Sequence, residues 1–222
     1  MRILQAEQRT PEWFAARLGK ATASNFGNVL AAKTTAAYRN YRVKLALERL
    51  TGRQEDVFQN DAMKQGTERE PLARIAYEAL TGNLVEEVGF CLHDTLDCGA
   101  SPDGLIDAVR GLEIKCPTPG KHCEYLWAKA EPPEYTAQIQ GCMWITERTE
   151  WDFVSFCPEF PENAQLIVRT IKRDDTYIKK LAAAVESFMA EVAAEVEAIR
   201  SFKNQPLPRL AVGNLKGPSW HP

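Results

Sequence analysis

The chain has 222 residues, within the range of one folded domain, and its 45% apolar and 26% charged residues exclude a disordered or fibrous chain. A balance of 27 basic against 30 acidic residues gives a net charge of −3, so any basic surface for nucleic acid must be local. No run approaches the ~18 apolar residues of a membrane helix, and the N-terminus carries no apolar leader, so a soluble, cytoplasmic protein with no membrane partner is expected. The six cysteines, at 91, 98, 116, 123, 142 and 157, include no C-x-x-C pair. Zinc-ribbon and thioredoxin readings therefore fail, and reduced thiols are expected.

Apolar spacing and caps predict helices through the first ~80 residues. Thr10-Pro11 is an N-cap followed by proline at the first helical position, and Gly19 is a stop. A second helix starts at Thr22 or Ser24, and a third covers Ala36 to Thr51, closed by Gly52. The segment Asn60 to Leu80 is helical, kinked or restarted at Pro71, where proline removes a backbone donor. From Asn83 to Pro117 short strands separated by turn residues predict a β-meander. Residues 121–146 return to helix, interrupted at Pro132-Pro133; the runs WDFVSFCP and QLIVRTIKR are strands; a long amphipathic helix covers Asp174 to about Phe202. The last ~20 residues form an extended tail or a docking arm. This order predicts an α/β (α+β) fold with one mixed central sheet flanked by helices.

The chemistry is concentrated in Ser101-Pro102-Asp103-Gly104 and the later Glu113-Ile114-Lys115. In a strand, Glu113 and Lys115 project to one face and Ile114 to the other, and the preceding hairpin can return the Asp103 carboxylate toward Glu113. Two carboxylates, with the Ile114 carbonyl, are hard oxygen donors suited to Mg²⁺ or Mn²⁺ rather than zinc. An ion so held acidifies a water and neutralises charge in phosphoryl transfer. Lys115 then orients or deprotonates that water, or stabilises the developing charge. A tight turn and a solvated strand face are the plain alternative for such a pattern. Its setting, G-A-S-P-D-G-L followed by G-L-E-I-K-C-P, resembles the PD-(D/E)xK nuclease superfamily.

Five ordered blocks narrow the resemblance: R-L-G-K-A-T-A-S at 17–24, Q-G-T-E-R-E at 65–70, S-P-D-G at 101–104, G-L-E-I-K-C-P at 111–117 and Y-T-A-Q-I-Q-G-C-M-W at 135–144. From Trp13 to the last helix the chain is similar to the lambda-type exonucleases, the YqaJ-like viral recombinases. The resemblance implies a restriction-endonuclease-like core in a single nuclease domain, with an N-terminal helical part (1–82), a catalytic core (83–202) and a tail (203–222). It implies 5′-to-3′ digestion of one strand of linear duplex DNA with Mg²⁺, held as two ions, leaving 3′ single strands for a single-strand annealing protein.

Carried onto this chain, the resemblance makes Asp103 and Glu113 metal ligands, Lys115 the catalytic lysine and Glu70 a further carboxylate near the metals. Gln138 or Gln140 contacts the scissile region, unless both are the polar face of a buried helix. Arg17, Thr22 and Ser24 form a pocket for a 5′ phosphate; a helix-end cation and N-caps are the alternative. Met63 is an apolar wedge at the end base pair or a core residue, and Arg39, Arg42, Lys44, Arg49 and Arg53 line a DNA groove or a solvated face. A homotrimeric ring, threaded by DNA, and a phage or prophage origin in a bacterial cytoplasm are also implied. The competing readings are a structure-specific or restriction-type endonuclease and a non-catalytic DNA-binding recombination accessory protein.

Overall fold

The computed structural model describes residues 1–54, 61–128 and 130–203, the side chains of 61–63 excepted. The strands in them form two mixed sheets flanked by helices, the α/β class that the element order predicts. The run expected to be one meander divides between them. The first sheet has the order β1 (Arg2–Leu4), β3 (Phe90–Leu92), β4 (Cys98–Ala100) and β2 (Ala21–Thr22), antiparallel except for β4 against β2. The second has the order β5 (Gly104–Leu105), β6 (Arg110–Lys115), β7 (Glu150–Phe156) and β8 (Leu166–Lys172), antiparallel except for β6 against β7. Strands β1 and β2, in the segment expected to be helical, have three and two residues, too few for a period to show.

The first and third helices begin where the sequence predicts, but the second does not: a 3-10 turn covers Ala23–Asn25 and the α-helix starts only at Phe26. In α1 (Pro11–Arg17) the Thr10 hydroxyl accepts the Trp13 amide, and in α3 (Ala36–Thr51) Thr35 caps the start while Gly52, at φ 67°, ends the helix. A short helix, α2 (Phe26–Leu30), lies between them. Helix α4 (Asp61–Thr81) runs through Pro71 as one element, so the expected restart does not occur. Helices α5 (Pro119–Trp127) and α6 (Pro133–Thr146) make the parallel crossover from β6 to β7, with the interruption at Pro132-Pro133, and α7 (Asp175–Arg200) is capped by Asp174.

Alternation along β6 and β7 builds a core on each face of the second sheet. Leu112, Ile114, Val154 and Phe156 pack with Ala73 and Tyr77 of α4, while Trp151 and Phe153 join the larger core with α6, α3 and α7. Across α3 and α7, Phe188 lies edge-on to Tyr38 at 5.0 Å and stacked on Tyr41 at 5.4 Å. Strand β6 lies close against its neighbour because position 111 is glycine: a Cβ there meets the Trp151 ring at 2.3 Å. Gly111→Ala is expected to cost about 1–3 kcal/mol through overpacking, read as a lower urea midpoint. An unchanged midpoint contradicts the tight approach of β6 to β7.

Candidate active site

Strand β6 carries Glu113 and Lys115 toward α6 and Ile114 into the α4-side core, as a two-residue period demands. Gly104 pairs with Leu112, so extending the antiparallel register by one residue sets Asp103 opposite Glu113. Asp103 Oδ2 accepts the Ile114 amide at 2.6 Å. Glu113, 1% exposed, accepts Lys115 Nζ at 2.5 Å and Gln138 Nε2 at 2.6 Å, both on Oε1. Its other oxygen, Oε2, is buried with no hydrogen-bond partner. A buried carboxylate oxygen left unpaired is costly, and it is the kind of atom that a cation satisfies.

Electrostatics ties these groups together. Burial first, then Glu113 and to a smaller extent Glu70, raise the Asp103 carboxyl well above its ordinary value, with Lys115 and the Ile114 amide opposing. Burial works against the Lys115 ammonium, but Glu113 and Asp103 outweigh it and hold its pKa above the ordinary value. Lys115 is therefore a cationic donor at neutral pH, its Nζ 5.0 Å from the Tyr135 ring centroid. Asp103, Glu113 and the Ile114 carbonyl make a donor set of hard oxygens only, which fits Mg²⁺ or Mn²⁺. Among the described residues no three His, Cys, Asp or Glu side chains converge as a metal-holding group, so the fit rests on two carboxylates and the orphaned Oε2.

The Asp103 shift has a sign that can be checked. Because its folded pKa is raised, the folded chain binds more protons than the unfolded chain between the ordinary aspartate value near ~4 and the raised one. Its contribution to stability is complete below that window and lost as pH rises through it. In chelator, Asp103→Asn is thus expected to melt above the unsubstituted protein at pH 8, the gap closing toward pH 4; equal melting temperatures throughout contradict the shift.

Glu70 stands on α4 and shares with Asp103 a cleft of about 450 Å³ that is also lined by Gln8, Arg9 and Arg74. Its Oε2 accepts Arg9 Nη2 at 2.7 Å, and Arg74 Nη2 lies 3.9 Å from Oε1. The two glutamines part company. Gln138 reaches Glu113, whereas Gln140 donates to the Lys172 carbonyl at 2.9 Å and accepts the Asp174 amide at 2.8 Å. Gln140 therefore secures the entry to α7 and is not directed at the carboxylates; a helical offset of two residues turns the pair to different sides.

On the other side of the Ser101-Pro102-Asp103 turn, two of the three residues expected to hold a phosphate, Arg17 and Thr22, line one cavity, with Ser24 beside Thr22. Arg17, Lys20, Thr22, Asn25, Tyr41 and Lys44 line a small cavity of about 30 Å³, together with the Glu48 carboxylate. The Thr22 amide donates to the Tyr41 hydroxyl at 3.0 Å, and the Thr22 and Ser24 hydroxyls stand 3.3 Å apart. Arg17 lies over the Trp13 ring, 3.9 Å from its centroid, and burial pushes its pKa down to about 10, with Tyr41 and Glu48 partly offsetting this. It stays a cation at neutral pH, poorly hydrated and hence a strong partner for an anion. Ser101, unassigned by the sequence reading, accepts Arg17 Nη1 at 2.8 Å and Trp13 Nε1 at 2.9 Å. Two residues from Asp103, it joins the cavity to the carboxylates.

Of the basic residues on α3, Arg42 pairs with Glu195 and Glu191 of α7, Arg49 with Asp97, and Lys44 stands 3.9 Å from Glu48. Arg42 and Arg49 tie α3 to other parts of the fold, whereas Lys44 meets only a residue of its own helix and lines the Arg17 cavity. The Met63 side chain and the tail from residue 204 lie outside the described residues. All six cysteines are free thiols, and no described helix is long and apolar enough to cross a membrane.

Comparison with known proteins gives this geometry a family. The model of the YqaJ-like viral recombinase domain matches residues 12–149, a span containing every block quoted above. Among solved structures the chain is similar to LHK-Exo, an alkaline exonuclease from Laribacter hongkongensis, at 43% identity and a TM-score of 0.82, over 86% of this chain and 96% of that one. The complex of LHK-Exo with dAMP matches with the same values. A phage-related exonuclease from Haemophilus somnus 129PT shares the fold, with a TM-score of 0.69 at 15% identity over 81% of this chain and 96% of that one. Among curated proteins no significant match is found. A family model spanning more than half of the chain, and a relative at 43% identity over most of its length, place it: the chain belongs to the YqaJ-like viral recombinase family, the lambda-type exonucleases.

Proposed function

We propose that the protein is a Mg²⁺-dependent 5′-to-3′ exonuclease that digests one strand of linear duplex DNA and leaves 3′ single strands for recombination by annealing. The observation that carries this reading is the pairing of two sites across one turn: a carboxylate pair with an orphaned oxygen at Asp103 and Glu113, and a half-buried guanidinium in a small polar cavity at Arg17. An endonuclease has no need of the second. The relatives described as exonucleases support the class.

In this reading Arg17, Thr22, Ser24 and Ser101 hold the terminal 5′ phosphate, which sets the register of the strand. Asp103, Glu113 and the Ile114 carbonyl would hold the metal at a two-ion site, with Glu70 a further carboxylate near it, and Mn²⁺ would substitute for Mg²⁺. Bound there, the ion supplies charge neutralisation at the scissile phosphate and an acidified attacking water. Lys115 donates to the developing charge, and Gln138 holds Glu113 from the α6 side. A water oxygen bonds to phosphorus, the bond from phosphorus to the departing nucleotide's O3′ breaks, and that oxygen takes up a proton. The remaining strand then carries a new 5′ phosphate on phosphorus, which the Arg17 pocket receives for the next cycle.

The chain works as one nuclease domain within a homotrimeric ring that encloses the duplex, in the cytoplasm of a bacterial host, beside a single-strand annealing protein. Leu72, Ile75, Leu80 and Leu84 are exposed apolar residues on and just after α4, and apolar surface of this kind suits a contact between subunits. The test is linear duplex DNA, with or without 5′ phosphates and with or without Mg²⁺, its strands analysed separately. Loss of the 5′ strand only, dependent on Mg²⁺ and faster from phosphorylated ends, is expected. Digestion from 3′ ends, or none with any divalent ion, overturns the reading.

A further inference from the structure

The segment before α1 does more than lead into it. Gln8 Nε2 donates to the Val88 carbonyl at 3.0 Å and to the Pro102 carbonyl at 2.7 Å, so residue 8 is fastened to the turn that carries Asp103. The next residue, Arg9, has φ 70°, a left-handed conformation that glycine adopts freely and a long side chain does not. The turn is fixed from the far side as well, because the Thr10 amide and hydroxyl both donate to the Glu7 carbonyl. Glycine is the residue this backbone favours, so an arginine here must be explained by what its side chain touches. Its guanidinium, 48% exposed, reaches across the cleft to Glu70 Oε2 at 2.7 Å. The only other cation near that carboxylate among the described residues is Arg74, 3.9 Å away and engaged with Glu87 at 2.5 Å.

We propose that Arg9 is a positioning residue which, with Gln8 anchoring the Asp103 turn, holds the Glu70 carboxylate in place beside Asp103 at the cation site. This deepens the nuclease reading and rests on it for the identity of the site. The physical reason is that Asp103 feels the negative charge of Glu113 and, across the cleft that it shares with Glu70, of Glu70 as well. A guanidinium bonded to Glu70 Oε2 offsets that repulsion and restricts the rotamers of a flexible side chain. Carboxylates that hold metals are typically fixed by such outer partners, whose removal costs about 10–100-fold in metal affinity. A merely structural ion pair at half exposure has a small effect on stability and none on a metal.

The test combines two readouts that a structural role and a positioning role move differently. Mn²⁺ affinity is measured on the DNA-free full chain by calorimetry, with Asp103→Asn identifying the binding that belongs to this site, and melting temperature is measured in chelator. Arg9→Gly is expected to raise the melting temperature by about 2 °C, because it relieves the backbone, and yet to weaken Mn²⁺ binding roughly tenfold. Arg9→Lys, which keeps the charge and the strain, is expected to retain most of the affinity at an unchanged melting temperature. Unaltered Mn²⁺ affinity in Arg9→Gly overturns the proposal, whichever way stability moves, and so does the absence of Asp103-dependent Mn²⁺ binding in the unsubstituted protein. Arg9-dependent Mn²⁺ binding by a protein that digests no DNA upholds the positioning role while removing the nuclease reading.

Discussion

Replacing Asp103, Glu113 or Lys115 by alanine is expected to slow digestion of linear duplex DNA by at least about a thousandfold, the scale on which an electrostatic or metal-holding group acts in a preorganised site. The three substitutions differ in what else they change. Loss of Asp103 or Glu113 removes an oxygen donor, so Mn²⁺ affinity falls with activity. Loss of Lys115 removes the ammonium that lies 2.5 Å from Glu113 Oε1 but no donor, so the metal remains bound while turnover stops. All three proteins are expected to fold, because none of these side chains fills the apolar core: Gln138 still bonds Glu113 when Lys115 is absent, and removing a carboxylate relieves the repulsion that raises Asp103. Near-normal digestion by Lys115→Ala contradicts its assigned chemistry.

The second large effect is on the choice of DNA end. A charge-assisted hydrogen bond is worth about 1.5–3 kcal/mol, so Arg17→Ala is expected to reduce the preference for a 5′-phosphorylated over a hydroxyl end by roughly 10- to 150-fold. Slow, end-indifferent, metal-dependent digestion remains. The effect is in recognition and not in folding: Arg17 makes one hydrogen bond to Ser101, which keeps its bond from Trp13. Ser101→Ala is expected to act in the same direction and more weakly, since it loosens the Arg17 side chain without removing the charge. Rates on the two kinds of end are compared under single-turnover conditions. Equal rates with the unsubstituted protein contradict the pocket and favour an endonuclease.

How much of this was legible in the sequence follows from the range of each signal. The alternation of Glu113, Ile114 and Lys115 is local, so their faces were readable, and the helix cap at Thr10 was too. Strands β1 and β2 were not, because two or three residues carry no period and their partners, Phe90–Leu92 and Cys98–Ala100, lie roughly 75 to 90 positions away. The division of the 83–117 run between two sheets is likewise a matter of long-range pairing. Gln138 and Gln140 were separable in principle, since residues two apart on a helix cannot face one site, although which one faces Glu113 depends on packing. Ser101 stood within a recognisable block, but its two donors come from α1. Arg9 left no mark, because a positive φ is not written in the residue type when that residue is arginine.

Release of end labels tests the central claim most directly. A linear duplex in which one strand alone has a 5′ phosphate, with one label on that phosphate and a different label at the 3′ end of the same strand, is incubated with the protein and Mg²⁺ in the presence of a covalently closed circle. The account predicts that the 5′ label appears first, as a mononucleotide, that the 3′ label follows only after the strand has been consumed, and that the circle stays intact. Early release of the 3′ label, a 5′ label found first on longer fragments, or nicking of the circle contradicts it.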